Sequence, residues 1–168
     1  IHTVSFILNA YGAVSTQQRL SLTNRELGWR RFDPELDGIW TEDDSFTAFW
    51  YFEEVNNGYH LYHYKLRNEQ RELSYTRYFI SLHQDDNDSI EAVVVHPRSI
   101  RYIIGGLPIP NMLFAYFNCQ VSDEEIALMP KDDSSEWFGL RHLIRSSHAK
   151  YFQELLSDDG RTKINECS

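Results

Sequence analysis

Polar and apolar residues alternate over short stretches along most of this chain, a spacing that predicts β-strands. The pattern is strongest in residues 37–66. An aromatic run at 46–52 is followed by the turn-forming Asn56-Asn57-Gly58 and by a second aromatic run at 59–66. We interpret this stretch as an aromatic β-hairpin, and the chain after it continues the same pattern.

The alternation predicts a meander of antiparallel strands separated by turns rich in Asp, Asn, Gly and Pro. We place strands at 39–44, 46–55, 59–67, 72–84, 89–96, 100–104, 111–121 and 125–129. Closing about eight such strands removes the exposed sheet edges. The predicted fold is therefore mainly β, an antiparallel up-and-down eight-stranded barrel.

The end of the chain has a different pattern. Residues 134–138 predict one or two helical turns, and residues 140–145 are compatible with a last strand. The clearest helix is 147–156, where Ser147 is the expected N-cap and the apolar residues form one stripe. We expect this C-terminal helix to pack outside the barrel.

A length of 168 residues suits one domain, and no linker composition divides the chain. Three parts of this single domain, 1–168, are predicted: an N-terminal arm at 1–36, the barrel meander at 37–130, and a helix with a tail at 131–168. The net charge of −9, without a basic patch, argues against nucleic acid and anionic membranes as partners. No apolar run is long enough for a transmembrane helix.

The two cysteines are Cys119, in a predicted strand, and Cys167, near the end of the chain. This placement favours a disulfide that ties the tail to the barrel, and such a bond implies an oxidising compartment. The alternative is two unrelated free thiols.

The aromatic residues are the main candidates for a binding function, because tyrosine combines an apolar ring with a polar hydroxyl. Eight of them are candidates for the lining of a barrel cavity: Trp50, Phe52, Tyr62, Tyr64, Tyr75, Phe79, Phe114 and Tyr116. A barrel of eight strands either holds one small ligand or is filled by its own side chains, and both readings stay open.

No catalytic motif, phosphate loop or metal-binding motif is found, so neither catalytic residues, metal ligands nor a cofactor are assigned. His60 and His63 are three residues apart and would face opposite sides of a strand. An enzyme would have to combine one of them with Tyr62 or Glu54. We regard this as the least favoured alternative.

Gly38-Ile39-Trp40 opens the first predicted barrel strand, and the strand meander is followed by a helix expected outside the barrel. In this G-x-W and in this layout the chain resembles the lipocalin-like proteins of the calycin group, more narrowly the small bacterial secreted proteins and lipoproteins. A cysteine in a late strand paired with one near the C-terminus, as Cys119 and Cys167 would be, is also common in lipocalins.

The resemblance implies a non-enzymatic protein outside the cytoplasm (periplasmic, envelope-anchored or secreted) that binds a small hydrophobic ligand in its barrel. An upstream lipid anchor is compatible with it. The alternative is a solid barrel that acts as a protein–protein interaction module of the cell envelope.

Overall fold

The computed structural model describes residues 28–67, 71–104, 113–158 and 161–167. The described part is mainly β-structure with two short helices. The elements are β1 Arg30–Arg31, β2 Ile39–Thr41, β3 Ala48–Val55, β4 Gly58–Arg67, β5 Glu72–Gln84, β6 Ile90–Val95, α1 Pro97–Ile104, β7 Phe114–Val121, β8 Glu125–Pro130, a 3₁₀ turn Asp133–Ser135, β9 Arg141–Arg145, α2 Ala149–Leu156 and β10 Lys163–Glu166.

Strands β2 to β9 form a closed antiparallel barrel in which each strand pairs with its neighbours in sequence. The pairing of Trp40 in β2 with Arg145 in β9 closes the barrel. The up-and-down eight-stranded architecture predicted from the alternation is therefore confirmed.

The organising hairpin is also formed as predicted. β3 and β4 pair from Ala48↔Lys65 to Val55↔Gly58, and Asn57 takes a positive φ of 64° in the turn. Gly58 packs so closely on β5 that a Cβ there would lie 2.5 Å from the carbonyl oxygen of Ile80. Only glycine fits this position without displacing the neighbouring strand.

One predicted strand is wrong, because residues 100–104 belong to helix α1. Pro97 occupies the first helical position, where its missing N–H is not needed. The ring Nδ1 of His96 accepts a hydrogen bond from the backbone N–H of Arg98 at 3.0 Å, which satisfies one of the first donors of the helix. A short apolar run does not distinguish strand from helix by its spacing, and these local bonds favour the helix here.

The eighth strand of the barrel is instead β9. It lies within residues 140–145, which the sequence analysis found compatible with a last strand. The barrel consequently extends beyond the predicted boundary at residue 130. Of the predicted N-terminal arm, residues 1–27 lie outside the described part of the chain, and β1 adds a two-residue pairing to the end of β5.

Helix α2 packs on the outside of the barrel, as predicted. Phe152 and Leu155 are buried against outward-facing residues of the β2–β5 wall, and the Phe152 ring stacks on Phe49 at 4.4 Å. Ser147 does not cap the helix, contrary to the prediction. Its hydroxyl donates instead to the Asp44 carboxylate at 2.5 Å, and His148 occupies the N-cap position.

Candidate functional site

The barrel has a closed end, where Trp40 fills the space between the strands. The Trp40 side chain is fully buried, and its indole Nε1–H donates to the carbonyl oxygen of Leu36 at 3.0 Å. The Arg145 guanidinium lies 3.9 Å from the centroid of the indole ring. Arg145 also donates to the carbonyl oxygens of Asp37 and Asp123, so one cation joins the ring and two loops. These buried contacts stabilise the closed end of the barrel.

The middle of the barrel is filled by side chains. Phe138, from the connection between β8 and β9, inserts its ring among the rings of Trp50, Tyr78 and Phe117 at centroid distances of 6.0, 5.0 and 5.4 Å. All four rings belong to one buried cluster. The sequence left open whether the barrel holds a ligand or is filled by its own side chains, and at this level the barrel is filled.

The structure divides the eight predicted lining residues between the two faces of the wall. Trp50 and Phe52 face the interior and belong to its buried cluster. The other six follow the opposite alternation and face outward: Tyr62, Tyr64, Tyr75, Phe79, Phe114 and Tyr116. Grouping all eight around one cavity was therefore wrong, because both faces of these strands are aromatic.

The outward-facing tyrosines contribute to packing under helix α2. Tyr64 is buried there, stacked on Phe49 at 4.8 Å, and its ring lies 5.8 Å from Tyr62 and 5.6 Å from Tyr75. Phe114 and Tyr116 lie on β7, with their rings 5.5 Å apart. These contacts show that the outward-facing aromatic residues pack on the outside of the barrel wall and do not line its interior.

Towards the open end the interior becomes polar. The ring of His63 lies parallel to the indole of Trp50, with the centroids 3.9 Å apart and the planes inclined by 2°. Glu42 accepts hydrogen bonds from Trp50 Nε1 at 3.3 Å and from Arg141 at 2.9 Å. Burial lowers the pKa of His63 from 6.5 to about 4, so the ring is neutral at physiological pH.

A cavity of about 260 Å³ lies at this open end, in the barrel wall. On the side of β5 that faces away from β4, β10 pairs up to Tyr75 and β6 begins at Phe79. Between them, Thr76 to Tyr78 have no strand neighbour on that side among the described residues. The cavity opens at this break and reaches the inward-facing side chains.

The lining combines rings with hydrogen-bonding groups. Its members are Thr76, Tyr78, His96, Pro97, Arg98, Trp137 and Cys167. The rings of Tyr78 and Trp137 are nearly parallel, inclined by 21° with centroids 6.3 Å apart, and His96 meets Trp137 edge-on at 5.1 Å. We call this set the mouth cavity.

The hydroxyl of Tyr78 is the most informative group in the mouth cavity. The residue is only 9% exposed, and its hydroxyl has no hydrogen-bond partner in the described part of the structure. Burial raises the pKa of Tyr78, which keeps the hydroxyl protonated and able to donate. The hydroxyl is accessible from the cavity, so a ligand there could accept its hydrogen bond.

The predicted disulfide between Cys119 and Cys167 is not present, since both are free thiols. Cys119 is buried opposite Ile90, which in turn pairs with Gln84 of β5. Cys167 donates its backbone N–H to Tyr75, near the other end of β5. The two positions are separated by most of the length of β5, roughly 25 Å, whereas a disulfide requires Cα atoms within about 7 Å.

The histidine and carboxylate pair that an enzyme would need forms on the outer face of the barrel. Glu53, not Glu54, contacts His60 Nδ1 at 3.2 Å and accepts from the Tyr62 hydroxyl at 3.1 Å. His60 and His63 face opposite sides, as predicted. The outer pair does not line the mouth cavity, and the described residues hold no group of three ligands suited to a metal ion.

A second concavity, of about 570 Å³, lies beside the β3–β4 turn at the closed end. Five carboxylates line it: Asp33, Glu35, Asp37, Glu53 and Glu54. Two of these are engaged, Asp33 with Arg31 at 2.6 Å and Glu53 with His60. The many charges make this cleft a poor site for a hydrophobic ligand.

The lining of the mouth cavity was not predicted from the sequence. Its residues come from β5, the start of α1, the β8–β9 connection and the tail, which no spacing in the chain relates to one another. The sequence holds one indication, since strand alternation through Ile90 and Val94 puts His96 on the same face of the chain as these two residues.

Comparison with known proteins finds no match to a family model, a curated protein or a solved structure. The class is therefore defined by architecture: a closed antiparallel eight-stranded β-barrel with a helix outside, which is compatible with a lipocalin-like fold. Neither helix in the described part has the length and apolar character needed to cross a bilayer.

Proposed function

We propose that this protein is a non-enzymatic binding protein whose ligand occupies the mouth cavity. The observation that carries the proposal is the Tyr78 hydroxyl, which has no protein partner in the described structure and lines a cavity beside the Trp137 ring. Small-molecule sites combine apolar walls with a few polar groups of this kind. Because Phe138 fills the barrel interior, we place the ligand site in the mouth cavity and not at the barrel centre, where the sequence analysis placed it.

The volume of about 260 Å³ lies just below the roughly 300–1,000 Å³ of typical ligand pockets, so the cavity admits a small molecule and not a long lipid chain. Thr76 and Tyr78 supply hydroxyl groups, and Trp137 supplies an apolar wall. A small, largely apolar ligand with at least one hydrogen-bond acceptor fits these groups.

Native mass spectrometry of gently purified protein tests the proposal through a retained ligand. Thr76→Phe would fill the mouth cavity, whereas Ser74→Phe adds the same bulk two residues earlier on the same face, outside the lining. We expect a mass adduct on the wild type and on S74F but not on T76F. An adduct that persists on T76F would place the ligand elsewhere.

The finer classification is part of the same proposal. G-x-W at Gly38 to Trp40, the closed barrel and the outer helix support a calycin of the lipocalin-like type. A location outside the cytoplasm now rests on that resemblance alone, because the disulfide that first indicated an oxidising compartment is not formed.

A second candidate function is the solid barrel as a protein–protein interaction module, which the filled interior favours. Phe46 is 53% exposed and stacks on His148 at 3.6 Å, beside Tyr151, itself 40% exposed. Multi-angle light scattering of the wild type and of Phe46→Ser tests self-association through these rings. A monomer in both proteins would count against that form of the module.

A further inference from the structure

The mouth cavity differs in charge from the rest of this acidic protein. The chain carries a net charge of −9, yet the lining of the mouth cavity includes the Arg98 cation and, among the described residues, no carboxylate. The cleft at the closed end is lined by five carboxylates instead. A negatively charged ligand would therefore be repelled at one end of the barrel and accepted at the other.

The polar groups of the mouth cavity are mainly hydrogen-bond donors. The Tyr78 hydroxyl is protonated, and the Arg98 guanidinium can only donate. His96 Nδ1 already accepts a hydrogen bond from the backbone N–H of Arg98, so this nitrogen does not serve as the acceptor for a ligand donor. An acceptor with several lone pairs matches this set, and a carboxylate has about four acceptor positions.

The walls of the cavity favour a flat ligand. The rings of Tyr78 and Trp137 are inclined by only 21°, and Pro97 adds a rigid apolar surface. Aromatic rings associate in offset or edge-on arrangements with faces of this kind. A planar ring against Trp137 leaves its substituent near the donors.

We propose that the ligand of the mouth cavity is a small aromatic carboxylate. This rests on the proposed function and gives the ligand its chemical class. The ring packs on Trp137, and the carboxylate is held by Arg98 and Tyr78. Charge-assisted hydrogen bonds from Arg to a carboxylate are stronger than neutral ones, so the negative charge contributes to affinity and not only to orientation.

The test compares three probes of one shape: 2-naphthoate, its neutral amide 2-naphthamide, and the cation 2-naphthylmethylamine. Dissociation constants come from isothermal titration calorimetry, and tryptophan fluorescence of the wild type and of Trp137→Phe shows whether binding occurs at the cavity. We expect 2-naphthoate to bind at least about tenfold more tightly than the amide, and the amine most weakly.

Variants then assign the charge preference to one residue. Arg98→Gln should weaken 2-naphthoate by about tenfold and leave 2-naphthamide unchanged. Arg67→Gln is the matched control, because it removes the same charge at the same end of the barrel from a side chain that is 77% exposed and outside the lining. R67Q should bind all three probes as the wild type does.

The outcomes separate the two proposals. If both 2-naphthoate and 2-naphthamide bind with equal affinity and W137F alters the signal, the mouth cavity is a binding site but the carboxylate inference is overturned. If neither probe binds saturably, both the inference and the proposed site are overturned. Equal weakening by R98Q and R67Q would show only a general charge effect and would also refute the role of Arg98.

Discussion

His63 should make the stability of the barrel depend on pH, through its stack on Trp50. The perturbation is His63→Phe, which keeps a flat ring against the indole 3.9 Å away but removes the titrating group. In the wild type, burial is the main cause that lowers the pKa of His63 to about 4, and the neighbouring Glu42 carboxylate offsets part of that effect.

The sign and size follow from proton linkage. The unfolded chain takes up a proton on this ring as the pH falls through 6.5, whereas the folded protein does so only near pH 4. The stability contribution is therefore present above pH 6.5 and is lost as the pH falls towards 4. Between pH 7 and pH 5, His63 alone should remove about 2 kcal/mol from the free energy of unfolding.

Urea denaturation followed by far-ultraviolet circular dichroism measures this loss at each pH. The wild type should lose about 2 kcal/mol more than H63F between pH 7 and pH 5. Between pH 7 and pH 8 the difference between the two proteins should change by only about 0.2 kcal/mol, because the ring is mostly neutral in both states. Equal losses for both proteins between pH 7 and pH 5 would refute the assignment of His63 as a buried neutral ring.

Three further predictions concern the closed end, the outer helix and the thiols. Trp40→Ala should lower the free energy of unfolding by about 3–5 kcal/mol in urea titrations, because it empties the site under Arg145; a loss below 1 kcal/mol would contradict the packing role. Phe152→Ala should lower the free energy of unfolding by about 3–5 kcal/mol, and Tyr151→Ala, at a neighbouring exposed residue, should lower it much less. Equal melting temperatures of the two variants would contradict the docking of α2 on the barrel. Ellman's reagent should detect one thiol, Cys167, in the native protein and a second, Cys119, only after unfolding. The reason is that burial makes Cys119 inaccessible and raises its pKa to about 12. If no thiol reacts in denaturant, the two cysteines form a disulfide after all.

Much of the barrel was predictable because strand alternation is a local property. The hairpin of β3 and β4 follows from two aromatic runs around Asn56-Asn57-Gly58, and β5 lies at the predicted residues 72–84. The helix at 97–104 was missed, since a short apolar run after Pro97 fits either structure until its end groups are known. The role of β9 also depended on closure, because a last strand pairs with the first only when the barrel is complete.

The candidate site was much less predictable. Trp50 and Phe52 are inward, but Tyr62 and Tyr64 face helix α2, and the sequence offers no direct means of telling which aromatic face is the interior. A strand with two apolar faces satisfies the alternation rule in either orientation. The orientation is decided by what packs against each face.

The amino-acid sequence by itself determined the architectural class of this protein, because period-two alternation and turn residues lead to an antiparallel barrel. Only the tertiary structure decided that Phe138 fills the barrel and that the two thiols lie far apart. It also brought Tyr78, Arg98 and Trp137 together at the break beside β5. The physical reason is that alternation depends on neighbours along one strand, whereas filling, bonding and cavity lining depend on residues distant in sequence.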